Sequence, residues 1–291
     1  MTKILVVGSS GLLGSWFSEE ATKLKSKLNW TIKTVSKSHI ADYQGDFSDW
    51  TFANSCMQEF KPAIIINLVA LTDVDRCERE PHEAYQLHMG VPENISRYMQ
   101  TEKNCWALQI STDQVYDGEG YKKEENVSIK NIYSLSKRAG EMALPADRTV
   151  VLRTNFFGRS VSGHRKSFTD WAYGAFLSNE RITLFSDSIF NPLHGRTVAK
   201  MMCEVIQNPR FGIFNLGSHE GLSKADFVIY FAKLVGVHKE IYTVSKSVSV
   251  PDRARRPLNM LMDVSKFETT YNLPLPSLKE EINKTKDEYH V

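Results

Sequence analysis

A short β-branched run at residues 4–7 is followed at once by Gly8-Ser9-Ser10-Gly11-Leu12-Leu13-Gly14, and then by helical apolar spacing. No other feature restricts the chain as much. A glycine-rich turn between a strand and a helix lets backbone approach a ligand closely, and the helix N-terminus presents unpaired N–H groups with a partial positive charge. A dinucleotide pyrophosphate suits such a turn, which assigns Gly8, Ser10, Gly11, Leu12, Leu13 and Gly14 to cofactor binding.

The pattern continues in kind. Further β-branched runs at 31–35, 63–68, 106–110 and 149–152 are separated by helix-length segments, for example the one with Trp50, Phe52, Ala53, Met57 and Phe60 on an apolar face. Strands that are apolar throughout and alternate with helices form a parallel sheet covered on both faces. The first half therefore reads as α/β, a Rossmann-like doubly wound parallel sheet, with residues 1–155 as the dinucleotide-binding domain.

Beyond residue 155 the alternation loosens. Helices are expected at 167–177, 197–206 and 224–234, strands at 182–185 and 213–216, and Pro251, Pro257, Pro274 and Pro276 break the tail before a charged helix that starts at Ser277. Residues 156–291 read as a smaller C-terminal α/β substrate domain, some segments of which return to the first.

Thirty-six basic against 34 acidic residues leave a net charge of +2, too balanced for wholesale binding to nucleic acid or an anionic membrane. Cys56, Cys77, Cys105 and Cys203 are far apart and form no CxxC, so zinc and a disulfide scaffold are not indicated and buried thiols are expected. The histidines show no ligand spacing, and no metal is expected. The apolar run at the start is broken by Gly8, too short for a membrane span and poor as a secretion signal, which points to the cytoplasm.

After the second strand, where NAD-preferring proteins keep an acidic residue for the ribose, the chain has Ser36-Lys37-Ser38-His39. A lysine between hydroxyls attracts a 2′-phosphate, so Ser36 and Lys37 favour NADP(H), with NAD(H) the second choice.

Tyr133 and Lys137 lie one turn apart on one face of an expected helix. A free phenol ionises near pH ~10, and a lysine beside it eases proton exchange near neutrality. The spacing alone is weak evidence, because Tyr242 and Lys246 repeat it; there the intervening Thr-Val-Ser reads as strand, which holds such side chains roughly 13 Å apart. Ser111-Thr112-Asp113 closes the strand at 106–110 at its carboxyl end, where open α/β sheets build their sites.

These motifs occur in a fixed order: GxxGxxG, Gly45-Asp46-Phe47-Ser48, residues 67–75, Ser111-Thr112-Asp113, Tyr133-x-x-x-Lys137, Leu152-Arg153-Thr154, residues 187–192 and residues 255–259. Together they resemble the dTDP-4-dehydrorhamnose reductase family of extended short-chain dehydrogenases/reductases over nearly the full length. The resemblance implies Thr112, Tyr133 and Lys137 as the catalytic triad, Asp46 and Phe47 at the adenine end, and Ala70, Leu71 and Thr72 along the cofactor path. It also implies Thr112 and Asp113 on a keto-sugar, with Asn155, Phe156 and Arg256 on the substrate side. Phe156 stands where the family usually has Trp, and Arg196 where a metal-binding glutamate of some members would fall.

The implied activity is NADP(H)-dependent reduction of a keto group on a nucleotide-linked 4-keto-6-deoxy sugar, in deoxysugar or surface-polysaccharide biosynthesis. Its partner is the nucleotide-diphosphate sugar, with no nucleic acid and no membrane, and a homodimer is left open. Related 4,6-dehydratases carry Thr-Asp-Glu at this strand end; Gln114 replaces the Glu here, and an amide cannot serve as base. A competing reading is a non-catalytic nucleotide-binding regulator resembling the methionine adenosyltransferase β subunit, against which retention of all three triad residues weighs. Arg253, Arg255 and Arg256 suit a sugar-nucleotide diphosphate better than nucleic acid.

Overall fold

A computed structural model describes residues 1–163, 165–237, 241–247 and 253–289; Pro251, one of the expected breaks in the tail, lies outside them. Two compact units are present, one made of residues 1–112, 131–153 and 199–214, the other of residues 113–130, 154–198 and 215–291.

The first unit is built on β1 (Thr2–Val7), β2 (Trp30–Ser36), β3 (Tyr43–Gln44), β4 (Ile64–Asn67), β5 (Trp106–Thr112) and β6 (Thr149–Thr154). With a later strand, Gly212–Leu216, they form a seven-stranded sheet in which β6, β5, β4, β1, β2 and β3 follow one another from that strand inward to the far edge. The order steps outward from β1 on both sides, the doubly wound arrangement, and β5–β4, β4–β1, β1–β2 and β2–β3 all pair parallel.

Both faces of this sheet are buried. Leu5, Val7, Ile65 and Ala107 pack against α2 (Trp50–Phe60) and α5 (Val91–Thr101), which follows the short helices α3 (Val74–Arg79) and α4 (Pro81–Tyr85), while Ile4, Val6, Ile64 and Ile66 are no more than 3% exposed. Each such side chain stabilises the fold by about 1.5–3 kcal/mol, which is why an uninterrupted apolar run is needed. On α1 (Leu12–Leu24) the buried set is Leu13, Gly14, Trp16, Phe17 and Ala21, one helical stripe. Asp49 caps α2 by accepting from Phe52 N–H at 2.8 Å.

In the second unit, short strand pairs surround a separate core. Ile182–Phe185 runs parallel to Tyr242–Ser245, Ile189–Phe190 pairs antiparallel with Leu222–Ser223, and Phe156–Phe157 pairs with Leu193–His194. Helices Phe168–Leu177, Lys224–Leu234 and Leu278–Asn283 contribute Ala172, Phe176, Phe227, Phe231, Leu278 and Ile282 to that core. The last helix starts from Ser277, whose hydroxyl accepts from Glu280 N–H as the reciprocal cap. All four cysteines are buried free thiols. No helix among the described residues is long and apolar enough to cross a membrane.

Candidate active site

The glycine turn leaves β1 with Gly8 at φ +83°, and a Cβ there would lie 3.0 Å from Val69 N. Only glycine fits that bend. Gly14 is fixed by packing, since its Cβ would fall 2.2 Å from Ser9 O. Gly11 differs from both: its Cβ would meet Gly8 O at 3.4 Å, an ordinary contact, so internal packing does not demand glycine there. Gly11 is also the N-cap of α1, and no side chain caps that end. Leu13 is buried, so its side chain belongs to the core and only its backbone amide is left for the ligand role expected from the sequence.

Ser10 Oγ lies 2.8 Å from Ser36 Oγ, tying the turn to the end of β2. Lys37 Nζ, however, is 2.6 Å from Asp46 Oδ2. The sequence places no carboxylate directly after β2, yet the pairing of β3 with β2, Val35 opposite Tyr43 and Ser36 opposite Gln44, brings one to Lys37. Partial burial pushes the Asp46 carboxyl upward, but its hydrogen bonds from Lys37 and Ser48 outweigh this and hold it below its ordinary value. Phe47 is buried, and its carbonyl accepts from Asn94 Nδ2 at 2.9 Å.

Past β4, Asn67 Oδ1 accepts from Val69 N at 3.1 Å and turns the chain into the loop of Ala70, Leu71 and Thr72. Leu71 N–H donates to His88 Nε2 at 2.8 Å. Sequence pattern does not single out His88, which sits in a π-helical turn at Gln86–Gly90.

Thr112 is the last residue of β5, which runs two residues further than expected, and it is 4% exposed. Tyr133 and Lys137 occupy α6 (Ile132–Ala143), held at its start by Asn131, whose side chain accepts from Ser134 N–H at 2.8 Å. Both are buried. Lys137 Nζ donates to Ile110 O at 2.7 Å. Burial pushes its amine down to about 8, and the Glu141 carboxylate one turn on pulls the other way.

Glu141 in turn accepts from Arg153 Nε at 2.9 Å and Nη2 at 2.7 Å, from Arg138 at 2.6 Å, and from Ser111 Oγ. Burial alone would raise this carboxyl; the Arg153 fork and the other donors hold it low. The pair is fully buried. The i,i+4 spacing from Lys137 is a signal for Glu141 that the sequence did contain.

The substrate-side candidates other than Thr112 lie in the second unit. Asp113 is 1% exposed, and Asn155 Nδ2 donates to its Oδ2 at 2.8 Å, so Asn155 orients the carboxylate. Phe156 is half-buried at the start of its strand. Arg256 lines a 290 Å³ cavity together with Lys224, Arg253, Arg255, Ser188 and Phe185. Arg253 lies over the Phe185 ring at 5.7 Å. The Lys224 amine is pushed down by burial, held up in part by Asp113, and lowered further by Arg256 and Arg253, so Asp113 and the basic cavity act on one another. Asp117, the acidic lining residue, is engaged by Leu258 N at 2.9 Å and Asn259 N at 3.2 Å. Lys224 opens a helix, where a cation opposes the helix dipole; that misfit was its signal in the sequence.

The competing Tyr242 is placed in a strand together with the Thr-Val-Ser that follows it.

Comparison with known proteins agrees over the whole length. The dTDP-4-dehydrorhamnose reductase of Escherichia coli (strain K12) is 25% identical over 288 residues, 94% of this chain and 93% of its own. The spore coat polysaccharide biosynthesis protein SpsK of Bacillus subtilis (strain 168) is 25% identical over 251 residues, 84% and 83% of the two chains. The fold of dTDP-4-dehydrorhamnose reductase from Bacillus anthracis str. Ames, solved in complex with NADP, matches with a TM-score of 0.85 at 22% identity over 99% of each chain. Residues 1–291 match the family described as RmlD substrate binding domain, and the chain belongs to that family.

Proposed function

We propose that the chain is an NADP(H)-dependent oxidoreductase that reduces the keto group of a nucleotide-linked 4-keto-6-deoxy sugar, in deoxysugar or surface-polysaccharide biosynthesis. The observation that carries this reading is the buried triad of the first unit: Thr112 at the end of β5, with Tyr133 and Lys137 one turn apart on α6. A regulator that only binds nucleotide has no need of a buried lysine beside a phenol.

The residues present fit a dinucleotide. Gly11 is not required by packing and the N-terminus of α1 has no side-chain cap, so its amides and those of Leu12 and Leu13 are suited to the pyrophosphate. Ser36 and Lys37 would take the 2′-phosphate, Asp46 and Phe47 the adenine end, and Ala70 to Thr72 the path toward the nicotinamide. When bound, the reduced nicotinamide supplies hydride to the sugar's carbonyl carbon.

The chain's own residues do the rest. Thr112 holds the carbonyl oxygen by hydrogen bond, and Tyr133 gives that oxygen its proton as negative charge develops there. Lys137 stabilises the negative charge left on the phenol oxygen and grips the nicotinamide ribose. Asp113, oriented by Asn155, takes sugar hydroxyls, Phe156 meets the sugar, and Arg256 with its neighbouring cations takes the diphosphate.

Single-turnover kinetics of two variants test this. Positioned proton transfer contributes about 10²–10⁴-fold, so Tyr133→Phe should lose that much in kcat while NADPH affinity barely changes, whereas Lys137→Met should damage both. Unchanged turnover in Tyr133→Phe would remove the reading.

A further inference from the structure

One imidazole joins two parts of the first unit that the proposed reaction needs in register. His88 Nε2 accepts from the Leu71 amide at 2.8 Å, and His88 Nδ1 lies 2.7 Å from Ser136 Oγ. Its ring also meets the Tyr133 ring edge-to-face, with centroids 5.5 Å apart at 81°.

These bonds fix the tautomer. A nitrogen that accepts from a backbone N–H carries a lone pair, so Nε2 is unprotonated, and the neutral ring bears its proton on Nδ1 and donates to Ser136. Ser136 Oγ is then free to donate its single hydrogen to Ile132 O at 2.8 Å or Tyr133 O at 3.1 Å. The neutral state is favoured by the surroundings: burial, then the nearby Lys137 cation, push the imidazole down to about 3.

The backbone is shaped to bring His88 there. It lies in the π-helical turn Gln86–Gly90, a wide turn of a kind that is frequent at functional sites. Across from it, α6 has Gly140, whose Cβ would fall 1.9 Å from His88 O. A mid-helix glycine costs about 1 kcal/mol relative to alanine, and here it is what lets α6 approach the turn.

We propose that His88 is a positioning residue: as the Nδ1–H tautomer it holds the Leu71 amide of the cofactor-path loop and the Ser136 hydroxyl of α6 at one spacing, and so sets where the Tyr133 phenol stands. The inference rests on the proposed reductase function. It differs from a packing role because the two nitrogens have opposite, non-interchangeable duties.

That difference is testable with isosteres. Gln places an acceptor near the position of Nε2, and Asn places its polar atoms near Nδ1. Turnover, NADPH affinity and melting temperature are measured for His88→Ala, His88→Gln and His88→Asn, alongside the tautomer of His88 in the parent by nitrogen NMR. Losing one hydrogen bond to a positioned amide should weaken NADPH binding by about tenfold in His88→Ala and His88→Asn, with His88→Gln within about threefold of the parent. Ser136→Ala, which removes only the Nδ1 partner, should let the Nε2–H tautomer appear and weaken NADPH binding several-fold (~3–10).

Equal NADPH affinity of the Gln and Asn variants, or an Nε2–H signal in the parent, overturns the proposal. If His88→Ala does not fold, Ser136→Ala and the parent spectrum still decide. A parent that neither binds nor oxidises NADPH instead contradicts the reductase reading itself, so the two failures are distinct.

Discussion

Lys137 Nζ donates to the carbonyl oxygen of Ile110 at 2.7 Å, which ties the helix that carries Tyr133 to β5 two residues before Thr112. The bond holds the amine inside the protein, where its ordinary value of 10.5 falls to about 8 because burial disfavours the charge. A helix and a strand end are thereby locked together by the same group whose charge the proposed reaction uses.

Activity should therefore fall above about pH 8, as Lys137 loses its proton and its hold on the Tyr133 phenol. The stability effect has the opposite sense. Between about 8 and 10.5 the unfolded chain holds more protons than the folded one, so this lysine makes the protein more stable as pH rises through that window. Glu141 raises the Lys137 value, so Glu141→Gln should move the alkaline limb of kcat/KM to lower pH. It also strands the buried Arg153 guanidinium, at a cost of about 3–5 kcal/mol in urea unfolding. A limb that stays in place would contradict the electrostatic link.

In the proposed reading, cofactor choice turns on Lys37 and Asp46. Their contact is short, at 2.6 Å, but the two side chains are 67% and 34% exposed, so the pair is worth about 0–1 kcal/mol and a phosphate can compete for the lysine. Lys37→Glu should weaken NADPH by about tenfold or more and leave NADH within a few-fold, and Asp46→Asn should tilt preference further toward NADPH. Calorimetry with both cofactors checks this. Tighter NADH than NADPH in the parent, unchanged by Lys37→Glu, would contradict it.

The basic cavity of the second unit makes a separate prediction. Lys224 is already pushed toward its neutral form by burial and by Arg256 and Arg253, and an anionic ligand would reverse that push. Lys224→Met should raise KM for a nucleotide-linked sugar by about 10–100-fold with kcat little changed, because a charged hydrogen bond to the diphosphate acts equally on ground and transition states. A nucleoside diphosphate alone should bind the parent, more weakly as salt rises. Loss of kcat without a change in KM would contradict this role for the cavity.

The apolar runs made the doubly wound sheet legible because a buried parallel strand has no polar alternation to hide it. β2, β4 and β6 lie within two residues of their expected ends. Helix or strand also separated Tyr133 from Tyr242 despite identical spacing to a lysine. What stayed hidden depends on register and packing. Asp46 reaches Lys37 only because β3 pairs with β2, and His88 meets Leu71 and Ser136 across 17 and 48 residues of chain. Lys224 carried a local signal as a cation at a helix start, but that it shares a cavity with three arginines follows only from packing.

The most direct test of the central claim follows NADPH absorbance while the purified protein meets a panel of nucleotide-linked 4-keto-6-deoxyhexoses. One NADPH should be oxidised per sugar reduced with at least one member of the panel, at a rate that falls by about 10²–10⁴-fold in Tyr133→Phe. Tight NADPH binding with no oxidation by any member, together with recovery of a stoichiometric enzyme partner, would contradict it and support a regulatory subunit.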